Sequence, residues 1–297
     1  MKALETRARI EIKNVLFLTD FSPAGDAAIP YATEIVRRFG AKLFALHVRP
    51  PVVNPMTEPV TWPVLERAAK AEADAQTQAL HAAFPGIKPE VMIEEGDFWH
   101  ILESAIEKQE IDLIVLGTRG RSGAAKFFLG SRAEEIFREA PCAVLTIGPH
   151  SHEKPPRGGE FTEILFATDF SPASAVALAY AMSLAQEFQA HLTLLHVIAE
   201  GKAGDLVHAT ELVGSAGRLM CKLVPPEVEL WCEPRFAVEH GPIAEKILEV
   251  AKQRKTDLIV LGVRRPGGFP GAATHLPMAT AHKVVTHAAC PVLTVRG

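Results

Sequence analysis

Short apolar runs alternate with helical patterns along the whole chain. In the first half the runs are Val15–Leu18, Leu43–Val48, Val91–Glu94, Leu113–Leu116 and Ala143–Ile147. They are four to six residues long and not strictly alternating, which is typical of parallel strands covered on both faces. Apolar positions at helical spacing lie between them, at Ala28, Tyr31, Ala32, Ile35 and Phe39, and further helices are predicted over Leu65–Ala83 and Phe98–Gln109.

The second half repeats the same pattern. Ala177, Ala181, Leu184 and Phe188 continue the helical spacing, and Ser22-Pro23 and Ser171-Pro172 each supply an N-cap followed by proline in the first turn. Five strands and four helices per half predict two tandem Rossmann-like domains of the α/β class. Each is expected to be an open five-stranded parallel sheet with helices on both faces, and such sheets bind ligands beyond the carboxyl ends of their strands.

The chain is a tandem repeat. VLFLTDFSPAG in the first half corresponds to ILFATDFSPAS in the second half. Asp20 and Asp169 therefore lie 149 residues apart, and so do His47 and His196. DLIVLG occurs in both halves, and PCAVLTI in the first half corresponds to CPVLTV in the second. The matching segments follow the same order in both halves. We expect a first copy over residues 1–149, a linker over 150–160 and a second copy over 161–297. The linker, HSHEKPPRGGE, is polar and rich in proline and glycine. Metal binding by His150 and His152 is the less favoured interpretation, because a linker offers no preformed geometry.

Composition removes several classes of function. The 297 residues suit roughly two domains of about 150 residues each, and the formal charge of −4 argues against general nucleic-acid binding. The four cysteines form neither a CxxC motif nor a zinc spacing. No apolar run approaches the roughly 20 residues of a membrane span, and the first residues do not form a signal peptide. We therefore expect a cytoplasmic protein without a membrane or nucleic-acid partner.

The stretch GTRGRSGAAKFFLGS, Gly117–Ser131, carries the candidate chemistry. It follows the fourth strand, so it begins at the carboxyl edge of the sheet. Its glycines permit backbone conformations that a Cβ would obstruct, and its basic residues bring positive charge. Gly130-Ser131 precedes a helical pattern whose N-terminus would attract phosphate. A phosphate-binding loop is the favoured interpretation, and a surface loop closed by glycine is the alternative. No G-x-G occurs, and the spacing after Gly262 lacks the lysine of a P-loop.

These residues resemble the universal stress protein family over nearly the whole chain. The family's ATP-binding pattern, G-x2-G-x9-G-[S/T], is matched in full by the first copy, together with TDFS, HV and PCAVLTI. The resemblance implies ATP, with Mg²⁺, in the first copy. It assigns Asp20 to the adenosine, the backbone of Val48 to the adenine edge, and the phosphate-handling stretch to Gly117, Arg119, Gly120, Gly130, Ser131 and Arg132.

The second copy departs from that pattern. Arg265 stands where Gly120 does, and Met278 and Ala279 correspond to Gly130 and Ser131 when aligned back from the last strand. Three prolines interrupt the loop and remove donors. We expect a weak or lost second nucleotide site, with Asp169, Val197 and Gly262 as relics or fold residues. Arg264 and Arg265 could still bind an anion.

The last strands suggest how the halves assemble. The resemblance implies edge-to-edge pairing of fifth strands, so Ala143–Ile147 and Pro291–Val295 are expected to pair within one chain. The tandem would then imitate a domain dimer, and two chains are expected to form a homodimer. The proline-rich insert Arg49–Pro63, with Trp62, is either an interface flap or a plain surface loop.

Three functions are compatible with these residues. The first is an ATP-binding stress-response module, regulatory rather than enzymatic. The second is a slow ATPase or phosphotransferase, for which Asp20 is the only obvious acidic metal ligand. The third is a nucleotide-free interaction scaffold. We assign no catalytic residue and no protein metal site; His47 and His196 are interpreted as fold residues because no nucleophile pattern stands beside them.

Overall fold

The structure, a computed structural model, describes residues 10–50, 62–118, 131–151, 156–200, 206–226, 228, 232–264 and 275–297. The strands are β1 Asn14–Leu18, β2 Lys42–Arg49, β3 Glu90–Glu95, β4 Leu113–Gly117, β5 Ala143–Ile147, β6 Glu163–Thr168, β7 His191–Ile198, β8 Arg235–His240, β9 Leu258–Val263 and β10 Val292–Arg296. The helices are α1 Pro23–Asp26, α2 Ile29–Phe39, α3 Trp62–Ala83, α4 Phe98–Lys108, α5 Ser131–Glu139, α6 Pro172–Phe188, α7 Leu206–Leu223, α8 Ile243–Gln253 and α9 His275–His287. A short 3-10 helix, Pro156–Gly159, precedes β6.

One sheet of ten strands runs through both copies in the order β3-β2-β1-β4-β5-β10-β9-β6-β7-β8. Strands are parallel within each copy, which confirms the predicted Rossmann-like α/β class. β5 and β10 pair antiparallel, with Leu145 opposite Leu293, and the Thr294 hydroxyl donates to the Val144 carbonyl at 3.3 Å. Because the two copies run in opposite directions, the carboxyl ends of their strands lie at opposite edges of the shared sheet.

Apolar residues on alternate sheet positions build two cores. Val15 and Phe17 belong to the core that contacts α2, α3, α6 and α7, whereas Leu16 and Leu18 belong to the core that contacts α4, α5, α8 and α9. This alternation follows from the period of two in a strand. Each core continues from one copy into the other, so the copies share both hydrophobic layers.

Residues 158–160 at the end of the predicted linker, and Phe161 at the start of the second copy, pack against the first copy. Phe161 is fully buried and stacks on Tyr31 with ring centroids 5.8 Å apart. A Cβ on Gly159, whose φ is +105°, would lie 2.7 Å from the Pro30 carbonyl oxygen. Glu160 forms an ion pair with Arg38 at 2.7 Å. Residues 152–155 lie outside the described residues. They include His152, one of the two histidines of the less favoured metal-binding interpretation.

The first helix differs between the copies. The sequence predicts one helix after each TDFS, and α6 is continuous, but the first copy divides into α1 and α2. Pro30 supplies the reason, since it has no N–H to donate to the Asp26 carbonyl; Ala179 occupies the equivalent position in α6. Most of the proline-rich insert, residues 51–61, lies outside the described residues.

Candidate functional site

A tight turn fixes Asp20 at the carboxyl edge of the first copy. Phe21 adopts φ +57°, a left-handed conformation that is uncommon for a residue with a side chain. Two hydrogen bonds hold the turn: the Phe21 amide donates to Thr19 Oγ1 at 2.9 Å, and the Ser22 amide donates to Asp20 Oδ1 at 2.9 Å. Ser22 then caps α1 through its hydroxyl, which accepts from the Gly25 amide at 3.2 Å. The carboxylate is thereby oriented by local structure alone.

Gly117 closes β4 directly beside this turn. β1 pairs with β2 on one side and β4 on the other, so the switch point of the sheet lies between β1 and β4. A Cβ on Gly117 would overlap the carbonyl of Ala24 and would lie 3.0 Å from the Gly25 amide nitrogen. The glycine is therefore required for α1 to approach the end of β4. Thr118 continues the chain by donating its amide to the Ile147 carbonyl at 3.1 Å.

Val48 presents its backbone at the same edge. The Thr19 amide donates to the Leu46 carbonyl at 3.1 Å, so Leu46 directs its backbone groups towards β1. Alternate residues of a parallel strand point their N–H and C=O groups to the same neighbour. Val48 therefore directs its N–H and C=O towards the β1 side as well, beyond Leu18, the last residue of β1 in the ladder.

The phosphate stretch is described in part. Arg119, Gly120 and Gly130 lie outside the described residues. Ser131 is the first residue of α5. The Arg132 guanidinium lies over the Phe98 ring, with its carbon 4.9 Å from the ring centroid. Sequence reasoning missed Phe98; the available signal was its place at the start of α4, directly after the N-cap Asp97, whose side chain accepts from the His100 amide at 2.9 Å.

His47 and His196 serve the turn that carries each aspartate. His47 Nδ1 lies 2.8 Å from the Thr19 carbonyl oxygen, and His196 Nδ1 lies 2.8 Å from the Thr168 carbonyl oxygen. A carbonyl only accepts, so Nδ1 carries the proton in both rings. The Phe21 ring packs edge-on against His47 at 4.8 Å. These contacts join the end of one strand to the neighbouring strand and support the interpretation as fold residues.

The sequence profile of the universal stress protein family matches residues 11–148 and again residues 160–296. The chain belongs to the universal stress protein family. A universal stress protein from Thermus aquaticus is 33% identical over 141 residues, covering 46% of this chain and 98% of the relative. One from Methanocaldococcus jannaschii is 30% identical over 138 residues, covering 46% of this chain and 81% of the relative. These relatives each correspond to about one copy of the tandem.

Solved universal stress protein structures share the two-copy fold. One from Archaeoglobus fulgidus covers 97% of this chain and 99% of its own, with a TM-score of 0.71 and 21% identity. A putative universal stress protein from Pseudomonas aeruginosa covers 96% of this chain and 93% of its own, with a TM-score of 0.63 and 17% identity. At these identities the likeness establishes the tandem fold.

The second copy of this universal stress protein repeats the turn with one added hydroxyl. Asp169 Oδ1 accepts from the Ser171 amide at 3.0 Å and from the Ser174 hydroxyl at 2.5 Å; the first copy has Gly25 in place of Ser174. Arg264 Nη2 lies 3.5 Å from Asp169 Oδ2. Burial alone would raise the pKa of Asp169, but these hydrogen bonds and the Arg264 charge outweigh it and lower the pKa.

A cavity of about 200 Å³ lies beside Asp169, between α8 and α9. Its lining includes Val197 and Gly262, two residues expected from the sequence to mark a weak or lost site. A Cβ on Gly262 would lie 2.5 Å from the Ser174 amide nitrogen, so this glycine permits close packing as Gly117 does. Arg265 and Gly271 lie outside the described residues, as do the side chains of His275 and Met278.

None of the helices in the described ranges combines the length and the apolar character that a membrane span requires. Among the same residues, no group of three or more His, Cys, Asp and Glu side chains is arranged to hold a metal ion.

Proposed function

We propose that the first copy binds ATP and that the protein acts as a nucleotide-dependent stress-response module. The observation that carries this proposal is the complete glycine pattern from Gly117 to Ser131 at the switch point of the sheet. Asp20 follows β1 and Val48 lies near the end of β2, so three groups suited to different parts of a nucleotide come from three adjacent strands.

The described residues fit the nucleoside. Asp20 Oδ1 accepts the Ser22 amide, and Oδ2 is the oxygen that would accept from a ribose hydroxyl. The N–H and C=O of Val48, directed past the end of β1, suit the donor and acceptor edge of adenine. Because hydrogen bonds and packing hold the turn and strand in place, little ordering would accompany binding.

The described start of α5 fits an anion. A helix N-terminus offers unpaired N–H groups and a partial positive charge. The dipole contributes only about 0.3–1 kcal/mol at an exposed site, so several groups must act together. We assign Ser131, Arg132 and the residues Arg119, Gly120 and Gly130 to the phosphates. Mg²⁺ would enter with the phosphates and spread their charge, while the chain supplies amides and arginines around them.

A binding module rather than a dedicated enzyme is the form we favour. Phosphoryl transfer requires a positioned nucleophile and metal ligands as well as positive charge. Asp20 is the described acidic residue at the switch point, and its Oδ1 is engaged by the turn. Weak hydrolysis is the most that this arrangement supports. Nucleotide occupancy would then stabilise one conformation that partners recognise, in the cytoplasm and as a homodimer.

Calorimetric titration with MgATP tests the assignment. Gly130→Asp places a carboxylate in the phosphate stretch and should abolish measurable binding. Ala279→Asp is the matched control, since Ala279 occupies the position of Ser131 at the equivalent helix of the second copy, and it should leave the affinity unchanged. Unchanged affinity in Gly130→Asp, with a native circular dichroism spectrum, would refute the assignment.

A further inference from the structure

The cavity of the second copy occupies the place of the nucleotide site proposed for the first copy, but Ile243 and Thr280 stand there instead of Phe98 and Arg132. Its described lining is largely apolar and comes from β6, β7, β9, α8 and α9, including Leu195, Val197, Ile243, Ile247 and Leu261. Asp169 is the only charged residue among the described residues that line it. An apolar cavity of about 150 Å³ is sufficient for benzene, so about 200 Å³ accommodates a medium-sized apolar side chain.

Three substitutions between the copies enlarge this space. Ala167 replaces Leu18, Ile243 replaces Phe98 at the first residue of the helix, and Thr280 replaces Arg132. In the first copy Leu18 is buried and the Arg132 guanidinium covers the Phe98 ring. Each replacement in the second copy has a smaller side chain. Together, Ile243 and Thr280 replace the cation–aromatic pair of the first copy with an aliphatic and a small polar side chain. The second copy therefore has smaller side chains at three positions of this lining, and lacks the guanidinium and the ring that pack together in the first copy.

Among the described residues, one charge of each sign stands at the mouth of the cavity: Asp169 lines it and Arg264 pairs with Asp169. Ser171 and Ser174 hold Asp169 Oδ1, which leaves Oδ2 towards Arg264 at 3.5 Å. The side chains of Arg264 and Asp169 are 63% and 54% exposed. Such an exposed pair contributes little by itself, so a ligand that supplies both opposite charges can compete with it. An adjacent ammonium and carboxylate on one carbon atom match this arrangement.

We propose that the second copy binds an apolar amino acid in this cavity. The side chain would fill the space between α8 and α9, the ammonium group would pair with Asp169, and the carboxylate would meet Arg264. This site does not rest on ATP binding by the first copy. The tandem would thus carry two sites for different ligands at opposite edges of one sheet.

Methyl NMR of the full chain tests this proposal with three probes that share a phenyl body. L-Phenylalanine carries both charges, phenethylamine only the ammonium, and 3-phenylpropionate only the carboxylate. We expect L-phenylalanine to shift the methyl signals of Ile243, Ile247 and Val197 and to bind more tightly than either other probe. The methyls of Val48 and Leu102 in the first copy should not move.

Two variants separate recognition from folding. Ile243→Phe with Thr280→Arg rebuilds the residues of the first copy and should reduce L-phenylalanine affinity at least 10-fold, whereas Val213→Thr on the exposed face of α7 should not. Asp169→Asn keeps an acceptor for Ser171 and Ser174 but removes the charge. It should weaken L-phenylalanine binding by about 5-fold and leave 3-phenylpropionate binding no weaker, a selective loss of preference that misfolding does not produce.

Three results would overturn the proposal. The cavity is not an amino-acid site if none of its methyl signals shifts when L-phenylalanine is added at about millimolar concentration, up to about a 20-fold excess over the protein. It does not recognise the ammonium group if 3-phenylpropionate binds as tightly as L-phenylalanine. If AMP shifts these methyls and L-phenylalanine does not, the second copy is a nucleotide site.

Discussion

Gly117 at the end of β4 packs directly against the backbone carbonyl of Ala24 in α1, with no room for a side chain between them. Gly262 has the same relationship with Ala173 and Ser174 in the second copy. The first glycine of the family pattern is therefore a packing residue in both copies, whether or not a nucleotide is bound.

Gly117→Ala should destabilise the protein in the absence of any ligand. The methyl group would force α1 away from β4, and overpacking of this kind costs about 1–3 kcal/mol. Gly217→Ala is the control: Gly217 lies within α7, with nothing within 4 Å of a Cβ, so alanine should stabilise by about 0.5–1 kcal/mol. Urea unfolding measures both, and equal midpoints would contradict the packing argument.

Phe161→Ala should weaken the connection between the two copies. Phe161 is fully buried between Tyr31 and Phe188, at centroid distances of 5.8 Å and 4.9 Å. Its loss should cost about 3–5 kcal/mol. Because the two copies share their cores, we expect the wild-type chain to unfold in one calorimetric transition and the variant to show two. A single transition in the variant, with unchanged midpoint, would contradict a role at the junction.

His47→Ala should lower stability without a specific effect on chemistry. The substitution leaves the Thr19 carbonyl without the Nδ1 donor at 2.8 Å, which costs about 1–3 kcal/mol. His47→Asn places an amide nitrogen near the same point and should recover part of that loss. Urea unfolding of both variants checks this. Full stability of His47→Ala, combined with lost nucleotide binding, would instead indicate direct contact with a ligand.

The stability contributed by Asp169 should disappear in acid. Hydrogen bonds from Ser171 and Ser174 and the Arg264 charge lower its pKa despite burial, so the folded state favours the carboxylate. This contribution is present above the ordinary value of 3.8 and is lost as the pH falls through the lower folded pKa. Asp169→Asn should therefore be less stable than wild type at pH 6, with the difference closing below about pH 3.8. A difference that stayed constant to pH 2.5 would contradict this.

Asp26→Asn should have the opposite effect on stability to Asp169→Asn. Burial first, and then the negative charge of Asp20, raise the pKa of Asp26 above 3.8. The folded state thus favours the protonated form, and ionisation destabilises it as the pH rises through that interval. Asp26→Asn should be more stable than wild type at pH 7 and equal to it well below pH 3.8. Thermal melts across this range measure the sign directly, and a less stable variant at pH 7 would refute it.

Much of this architecture follows from local patterns in the sequence. β5 was predicted to the residue because its apolar run is bounded by Pro141-Cys142 and Gly148. The TDFS turn was predictable because a serine N-cap and proline occur together. The split of α1 from α2 was missed, since apolar spacing continues across Pro30 and gives no sign of the missing donor.

The remaining features depend on contacts between distant segments. The pairing of Arg132 with Phe98 joins residues 34 positions apart on separate helices, and neither residue is unusual in its own segment. The cavity lining of the second copy likewise includes three substitutions to smaller residues, on β6, α8 and α9, each of which is ordinary alone. Comparison of equivalent positions in the two copies is the signal that finds them, once the structure fixes the alignment.

The nucleotide content of the intact chain shows directly whether the first copy binds ATP. The protein is purified without added nucleotide, loaded with excess MgATP, separated from free nucleotide by rapid gel filtration and denatured; the released adenine nucleotide is then counted per chain. We expect about one adenine nucleotide per wild-type chain and almost none for Gly130→Asp. No nucleotide in the wild type, combined with no heat of binding on titration, would contradict ATP binding, and two per chain would contradict the division of ligands between the copies.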